Sequence, residues 1–245
     1  MTDLIELRDQ SDLGWWFPKL EATRVLVPKT KIIKTDVHLV ELCDGVLPLG
    51  YEDFIALMKD SADEIGFPCF LRTGQTSNKH DWKDSCYVES DDQIESHVAN
   101  LVEFSELADM LGLPYRNWAV REFLNLHHRF TAFNGMPIAA EARFFFKNHI
   151  ILCSHPYWPI DALAEGRPSR PDWKHEAQDM NGMWDFQDGV GYQAKRIVQR
   201  VADAFDDAWS VDLCLTEDYK IYVTDMARAE HSFHWDGCEM AEVLK

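Results

Sequence analysis

The chain has 245 residues, with 24 lysines and arginines against 42 aspartates and glutamates, so its formal net charge is −18 when histidines are neutral. A chain this acidic lacks the overall basic footprint of proteins that grip nucleic acid by its phosphates, although a local basic patch is still compatible with it. With 46% hydrophobic and 12% aromatic residues it can bury a sizeable core, which excludes an intrinsically disordered protein. No apolar run reaches the roughly 20 residues that cross a bilayer, so we expect no membrane partner.

The cysteines indicate a reducing compartment. Six are scattered along the chain without a CxxC pair, and the N-terminus MTDLIELRDQ lacks the pattern of a signal peptide. We therefore expect reduced thiols and a cytoplasmic location.

The first half of the chain predicts strands and two helices. Residues 22–34 (ATRVLVPKTKIIK) form a basic segment with two short strands, which is either an exposed, charged edge or a surface for an anion or substrate. An amphipathic helix is predicted over Tyr51–Ile65 and is followed by a short strand, Phe67–Arg72, and a polar loop, TGQTSNKHDWKDS. A second helix begins near Ile94, includes Met110 and ends near Gly112–Leu113–Pro114.

The second half is dominated by strands. The segments WAVREFLNL, IAAEARFFF and IILCSHPYW read as successive antiparallel strands, with tight turns at FNGMP and KNH. Residues 161–188 have no clear period and are predicted to be an irregular excursion. A helix over 194–208 and a final hairpin, WSVDLCLTEDYKIYVTDM, complete an α+β pattern.

Several common motifs are absent from the sequence, among them GxxxxGK[ST], GxGxxG, HExxH and GxSxG. If the chain binds a nucleotide, it must use another fold. His231, His234 and Cys238 are spaced as metal ligands could be, but no fourth ligand is evident in the sequence, so we favour a polar C-terminal cluster over a zinc site.

Two aspartates interrupt the apolar pattern of the final hairpin. The separation of Asp212 and Asp225 brings two positions of adjacent strands side by side across a short turn. Paired carboxylates suit Mg²⁺, which takes one or two protein carboxylates and completes its shell with water and substrate phosphates. The alternative, two outward-facing strand aspartates, remains open.

A set of basic residues lies upstream. Arg72 ends a strand, Lys79 lies in the polar loop, and Arg143 shares a strand face with Glu141. Arginine offers a planar fork to phosphate oxygens and lysine a point charge, so the set could bind a polyphosphate. Each residue alone is equally compatible with an ordinary surface position.

Taken in order, the segments VPKTKII, FPCFLRTGQTSNKHDW, VREFL, AEARFFF with HPYW, and WSVDLCL with KIYVTDM resemble the ATP-grasp superfamily. More narrowly, they resemble its phage and bacterial clade in which arginine replaces the first nucleotide-binding lysine, related to the eukaryotic cell-division-cycle ATP-grasp factor that assists translation initiation factor assembly. The resemblance spans roughly residues 24 to 235. It implies an ATP-grasp fold of two α/β lobes with mainly antiparallel sheets enclosing a nucleotide cleft, which we divide into residues 1–116 and 117–245.

The resemblance also implies roles for single residues. Arg72 would bind phosphate, Lys79 would lie in the loop that closes on ATP, and Arg143 would bind the γ-phosphate and stabilise the charge that develops during transfer. The adenine and ribose would lie beside a hinge formed by Glu122, Phe123 and Leu124.

The metal ligands implied by the resemblance are Asp212 and Asp225. The family usually has an Asn two positions after the second acidic residue, but Ala227 stands there in this chain. Glu230 is the nearest substitute as a further Mg²⁺ ligand, and its use would leave turnover in more doubt than nucleotide binding.

The implied activity is that of an ADP-forming ligase that phosphorylates a carboxylate and joins the acyl phosphate to an amine. Its partners would be ATP, Mg²⁺, a carboxylate and an amine, and the 161–188 excursion would line or cover the acceptor site. The first alternative is a non-catalytic ATP-binding assembly protein that presents a surface to a protein partner when ATP closes it. A third reading is nucleic-acid modification, for which the basic segment is the only local support.

Overall fold

The computed structural model describes residues 10–107, 116–185 and 189–244. The predicted end of the second helix, at Gly112–Leu113–Pro114 with Met110, lies outside these residues. The described chain divides into two compact units. The N-terminal unit comprises residues 12–14 and 28–123, and the C-terminal unit comprises residues 10–11, 15–27 and those from 124 onward.

The N-terminal unit is built on a four-stranded antiparallel sheet in the order β1-β4-β2-β3. Its strands are β1 (Thr30–Lys34), β2 (Cys69–Thr73), β3 (Tyr87–Val88) and β4 (Asn117–Glu122). Its long helices are α2 (Tyr51–Ile65) and α3 (Ile94–Leu107), preceded in the chain by α1 (Leu13–Ala22).

One face of each long helix forms the core of this unit. The apolar residues of α2 recur every three or four positions, so Phe54, Met58 and Ala62 lie on one stripe and are buried. They form one cluster with Val98 of α3 and Trp118 of β4. The predicted helix over Tyr51–Ile65 is therefore confirmed to the residue.

The C-terminal unit contains a second four-stranded antiparallel sheet in the order β10-β9-β7-β8. Its strands are β7 (Glu141–Lys147), β8 (Ile150–Pro156), β9 (Ala208–Leu215) and β10 (Ile221–Arg228). A separate two-stranded hairpin joins β5 (His128–Ala132) to β6 (Met136–Ala139). The helices are α4 (Ile160–Glu165), α5 (Trp173–Gly182), α6 (Val190–Ala202) and α7 (Ala241–Leu244).

Strand β9 is the centre of this sheet, because every one of its residues is buried and it pairs with both β7 and β10. Helix α6 packs against β7, β8 and β10. The tight turn predicted at KNH joins β7 to β8, and Asn148 and His149 both adopt positive φ angles (47° and 69°), as two-residue hairpin turns require.

Three features differ from the sequence-based expectations. Strand β4 pairs with β1 and β2, so residues 117–122 belong to the sheet of the N-terminal unit and the observed division falls after Phe123 rather than at 116/117. The IAAEARFFF segment is two strands, β6 and β7, interrupted at Ala140. The 161–188 excursion contains α4 and α5, whose short length and mixed composition hid their helical period.

Within the described ranges, none of the helices is both long enough and apolar enough to span a membrane.

Candidate functional site

Three charged residues form a row across the middle of the C-terminal sheet. Asp212 of β9 lies directly opposite Arg143 of β7 on one side and opposite Asp225 of β10 on the other. Residues that face each other across antiparallel strands project from the same face of the sheet. The prediction that the two aspartates lie side by side is confirmed, and Arg143 joins them.

Arg143 and Asp212 form a two-pronged ion pair. Nε of Arg143 donates to Oδ1 of Asp212 at 2.7 Å, and Nη2 donates to Oδ2 at 2.8 Å. The pair is well shielded, because the side chains are only 18% and 6% exposed. Burial alone would lower the pKa of Arg143, but the Asp212 carboxylate, with help from Tyr157 and Asp225, raises it above its ordinary value. The guanidinium therefore stays charged at any physiological pH.

Arg143 has two further contacts that fix its position. Its Nη1 donates to the carbonyl oxygen of Phe233 at 3.3 Å. Its guanidinium carbon lies 4.9 Å from the centre of the Tyr157 ring, a cation–π distance. On the same strand face, Glu141 is buried and accepts a hydrogen bond from Trp158 Nε1 at 3.1 Å.

The chemistry of the two aspartates fits a hard divalent cation. Both are carboxylates on neighbouring strands, and Oδ1 of Asp225 also accepts from the Met226 amide at 3.0 Å. A carboxylate oxygen has two lone pairs, so Asp212 can bind a metal ion without releasing Arg143. Ala227, at the position where the family usually has Asn, faces Ser210 one step along the sheet and supplies no side-chain ligand.

Glu230, the predicted substitute, lies in the 3₁₀ turn after β10. Its Oε1 contacts Arg228 Nε at 3.3 Å, and the same arginine reaches Asp207 at 3.0 Å. Its carboxylate is thus paired with a neighbouring cation.

The N-terminal unit brings its two predicted phosphate-binding residues to one neighbourhood. Arg72 is buried near the end of β2, where its Nε donates to the carbonyl oxygen of Thr73 at 3.0 Å, and Lys79 begins the 3₁₀ segment 79–84. Burial raises the pKa of the Cys86 thiol to about 12, and the positive charges of Lys79 and Arg72 both act against that rise. Both cations therefore lie close enough to Cys86 to act on it.

The predicted hinge residues occupy the end of β4 and the chain position at which the first unit ends. Glu122 accepts the Lys29 amide at 2.7 Å, which anchors β4 to the start of β1. The Phe123 ring packs against Trp82 and Tyr87 with centroid distances of 6.1 and 4.8 Å. Leu124 is the first residue of the C-terminal unit in this part of the chain.

The C-terminal histidines are divided differently from their sequence spacing. Nδ1 of His231 is hydrogen-bonded to Ser11 Oγ at 3.1 Å. His234 and Cys238 instead lie beside Cys153 and His155 of β8. Neither of these two β8 residues was predicted from the sequence, because the signal for them is a C-x-H pair in a strand far from the C-terminus.

Solved structures with the same fold are distant in sequence. The structure of Cdc123 from Schizosaccharomyces pombe has a TM-score of 0.60 at 13% identity, over 98% of this chain and 92% of that one. N5-carboxyaminoimidazole synthase from Aspergillus clavatus, in complex with ADP and an aminoimidazole ribonucleotide, has a TM-score of 0.53 at 13% identity. That match covers 96% of this chain but 48% of the synthase, so the chain spans about half its length.

At these identities the likeness establishes the fold, which is that of the ATP-grasp proteins. No curated protein matches the sequence significantly. A family model matches residues 62–233, well over half of the chain, and describes an ATP-grasp domain, family 3 of the arginine-for-lysine clade. This range includes Arg72, Arg143, Asp212 and Asp225. The chain therefore belongs to family 3 of the arginine-for-lysine clade of ATP-grasp domains.

Proposed function

We propose that this protein is an ATP-dependent, ADP-forming ligase that activates a carboxylate as an acyl phosphate and joins it to an amine. The observation that carries the proposal is the buried row of Arg143, Asp212 and Asp225 across the sheet of an ATP-grasp domain. A fixed guanidinium beside two carboxylates can bind a phosphoryl oxygen on one side and a cation on the other. Phosphoryl transfer depends mainly on such positioning and charge stabilisation.

In this proposal Asp212 and Asp225 hold Mg²⁺, which neutralises charge on the phosphate oxygens. Glu230 would be a further ligand after parting from Arg228. Arg143 binds the γ-phosphoryl group, and its pair with Asp212 orients the guanidinium plane before substrate arrives. Tyr157 and the Phe233 carbonyl restrain the same side chain, which reduces the reorganisation needed during transfer.

Arg72 and Lys79 would bind the other phosphate oxygens of ATP. Support for this role comes from their shared neighbourhood near Cys86 and from the matched family range, which includes both. Glu122, Phe123 and Leu124 would contact adenine and ribose. Helices α4 and α5, within residues 161–188, would supply contacts to the acceptor substrate.

The test is ADP release in the presence of hydroxylamine, which intercepts acyl phosphates as stable hydroxamates. The purified protein is incubated with Mg²⁺, ATP, hydroxylamine and pools of small carboxylates, including amino acids and dicarboxylates. We expect ADP release that depends on one carboxylate pool, with a matching hydroxamate. Arg143→Ala should reduce this rate at least about a hundredfold, as loss of one transition-state contact does elsewhere, with a smaller effect on nucleotide affinity.

The matched control is Arg196→Ala, an exposed arginine on α6. It should release ADP at the parental rate. Parental ADP release by Arg143→Ala would contradict the role given to Arg143.

A second candidate is a non-catalytic, ATP-binding assembly protein. Two observations favour it: the chain covers 92% of Cdc123, against 48% of the synthase, and Ala227 removes one expected metal ligand. This candidate predicts Mg-dependent ATP binding without ADP or hydroxamate formation from any carboxylate pool. Carboxylate-dependent ADP release would exclude it.

The third reading, nucleic-acid modification, gains no support from the basic segment. Lys29 Nζ donates to the Glu64 carbonyl oxygen at 2.6 Å, and Lys31 forms an ion pair with the Glu64 carboxylate. These lysines are thus tied to a neighbouring helix.

A further inference from the structure

Two cysteines and two histidines converge at the outer edge of the C-terminal sheet. Their four potential ligand atoms, one from each of Cys153, His155, His234 and Cys238, all lie within 4.8 Å of one another. They are the one such group of three or more acidic, cysteine or histidine side chains in the described part of the chain. We propose that these four residues form a structural zinc site, distinct from the Asp212 and Asp225 carboxylates.

The local structure explains why the four residues meet. Cys153 and His155 are two positions apart on strand β8, so both side chains project from the same face. His234 and Cys238 lie in the segment between the 3₁₀ turn 229–231 and helix α7, which returns to this edge of the sheet. Each element thus supplies one cysteine and one histidine.

The spacing of the donor atoms suits one tetrahedral ion. The Sγ of Cys153 lies 3.3 Å from Nε2 of His234. Zinc–sulfur and zinc–nitrogen bonds of about 2.3 and 2.0 Å place neighbouring tetrahedral ligands roughly 3.3 to 3.8 Å apart. A group whose members all lie within 4.8 Å needs only small side-chain adjustments to reach this geometry.

The imidazoles carry a second, independent sign of a missing partner. Nε2 of His155 and Nδ1 of His234 are buried, and neither has a hydrogen-bond partner within the described structure. A buried ring nitrogen without a partner is costly, because it has lost its water. Metal coordination would relieve this cost for His155, and either nitrogen of His234 can serve as its ligand.

The surroundings hold the two imidazole rings in place. The Phe145 ring meets the ring of His234 edge-on at 4.6 Å, and Trp235 stacks on His155 at 6.2 Å. Nε1 of Trp235 donates to the carbonyl oxygen of Pro156 at 3.0 Å, which ties the C-terminal segment to β8. Cys153 also packs against the buried cluster around Phe145.

The donor set selects zinc among common metals. Two thiolates and two neutral imidazoles in a tetrahedral arrangement match zinc, whereas Mg²⁺ and Ca²⁺ prefer oxygen ligands. Four protein ligands leave no open position for substrate, so the role is structural. Two thiolates also balance the charge of the ion.

The zinc site would brace the proposed phosphate site. His155 lies directly opposite Arg143 in the sheet, and the carbonyl oxygen of Phe233, next to His234, accepts a hydrogen bond from Arg143. The metal would therefore fix the C-terminal segment whose backbone helps to orient Arg143. The site nevertheless stands on its own contacts and does not depend on the ligase proposal.

The first test is the metal content of the full chain. It is purified under reducing conditions with a histidine-free affinity tag, and metals are quantified by mass spectrometry. We expect about one zinc per chain, and cobalt substitution should give thiolate-to-metal charge-transfer bands with strong tetrahedral d–d bands. Neither measurement requires a variant to fold.

Variants then locate the metal. Cys153→Ser combined with Cys238→Ser should leave less than about a tenth of an equivalent of zinc. Cys43→Ser, at an exposed cysteine outside the cluster, should retain the full content. His231→Asn should retain it too, which separates the four-residue cluster from the ligand set suggested by sequence spacing.

Three outcomes would overturn the proposal. The first is a metal-free chain that takes up neither zinc nor cobalt, and the second is a Cys153–Cys238 disulfide in protein kept under reducing conditions. The third is full zinc content in the double cysteine variant. Because all readouts concern metal content, they are independent of ADP release, and either proposal can fail alone.

Discussion

Arg143 and Asp212 are the residues on which the candidate site depends most. Their ion pair is shielded from water, and both hydrogen bonds are short. Removing the carboxylate would leave a buried guanidinium without its counter-charge, and a buried charge cannot be solvated by the apolar residues around it.

Asp212→Ala is therefore expected to lower the free energy of unfolding by about 3 to 5 kcal/mol. Urea unfolding followed by tryptophan fluorescence measures the change. The matched control is Glu95→Ala, which breaks the exposed Lys59–Glu95 pair and should cost only a small fraction of that loss. Equal losses in the two variants would contradict the buried character of the Arg143–Asp212 pair.

Single residues also mark what the sequence allowed and what it did not. Asp212 and Asp225 belong to consecutive strands joined by a short turn, so their separation along the chain predicts their contact. His234 lies 81 residues from Cys153, and their contact depends on the path of the whole C-terminal segment. No local pattern carries that information, which is why only half of the zinc ligand set was suggested by spacing.

At the level of elements, the turn after β2 is constrained by a close approach. The amide of Gly74 donates to the Asn117 carbonyl oxygen at 2.7 Å, and its own carbonyl oxygen accepts from Leu13 at 2.8 Å. A side chain at Gly74 would overlap the carboxylate of Asp12. The loop that leads from Arg72 to Lys79 therefore begins at a position that only glycine fits.

Gly74→Ala should destabilise the protein by about 1 to 3 kcal/mol, because the added methyl group must displace the Asp12 carboxylate. Gly182→Ala, at the end of α5 with open space around it, should instead be neutral or stabilising by up to about 1 kcal/mol. Thermal unfolding of the two variants beside the parent provides the comparison. A neutral Gly74→Ala would show that the turn has more room than the structure gives it.

The N-terminal unit also predicts a dependence on alkaline pH. Burial raises the pKa of Cys69 and of Cys86 to about 12, above the ordinary value near 9. The folded state therefore holds these protons at a pH where the unfolded state loses them. The stabilisation is complete below the unfolded-state pKa and is lost as the pH rises from about 9 towards 12.

At pH 10 this loss is up to about 1.4 kcal/mol for each thiol. It is measured as the fall in unfolding free energy between about pH 8 and pH 10. The Cys69→Ala and Cys86→Ala double variant should show a shallower fall, whatever its absolute stability. An unchanged slope would mean that these thiols do not titrate differently in the two states.

The predictability of the elements follows their length and regularity. Helix α2 was predicted to the residue because its apolar stripe is regular over four turns. Helices α4 and α5 were missed because they are short and follow a proline- and glycine-containing stretch. The placement of β4 beside β1 and β2 could not be read from the sequence, since a strand pattern does not name its partner.

At the scale of the whole molecule, net charge says little about the proposed ligand. The chain carries a formal charge of −18, yet ATP is itself an anion. In the proposed function, Arg72, Lys79 and Arg143 supply local positive charge, and Asp212 and Asp225 bind the cation that accompanies the nucleotide. The remaining acidic residues chiefly favour solubility.

The central claim is that this ATP-grasp domain binds ATP together with Mg²⁺ through the Asp212 and Asp225 carboxylates. Titration calorimetry with a non-hydrolysable ATP analogue, with and without Mg²⁺, tests it on the parent and on Asp225→Asn. We expect Mg-dependent binding that weakens at least about tenfold in Asp225→Asn, as loss of a charged ligand implies. No binding by the parent, or equal binding by both proteins with and without Mg²⁺, would contradict it.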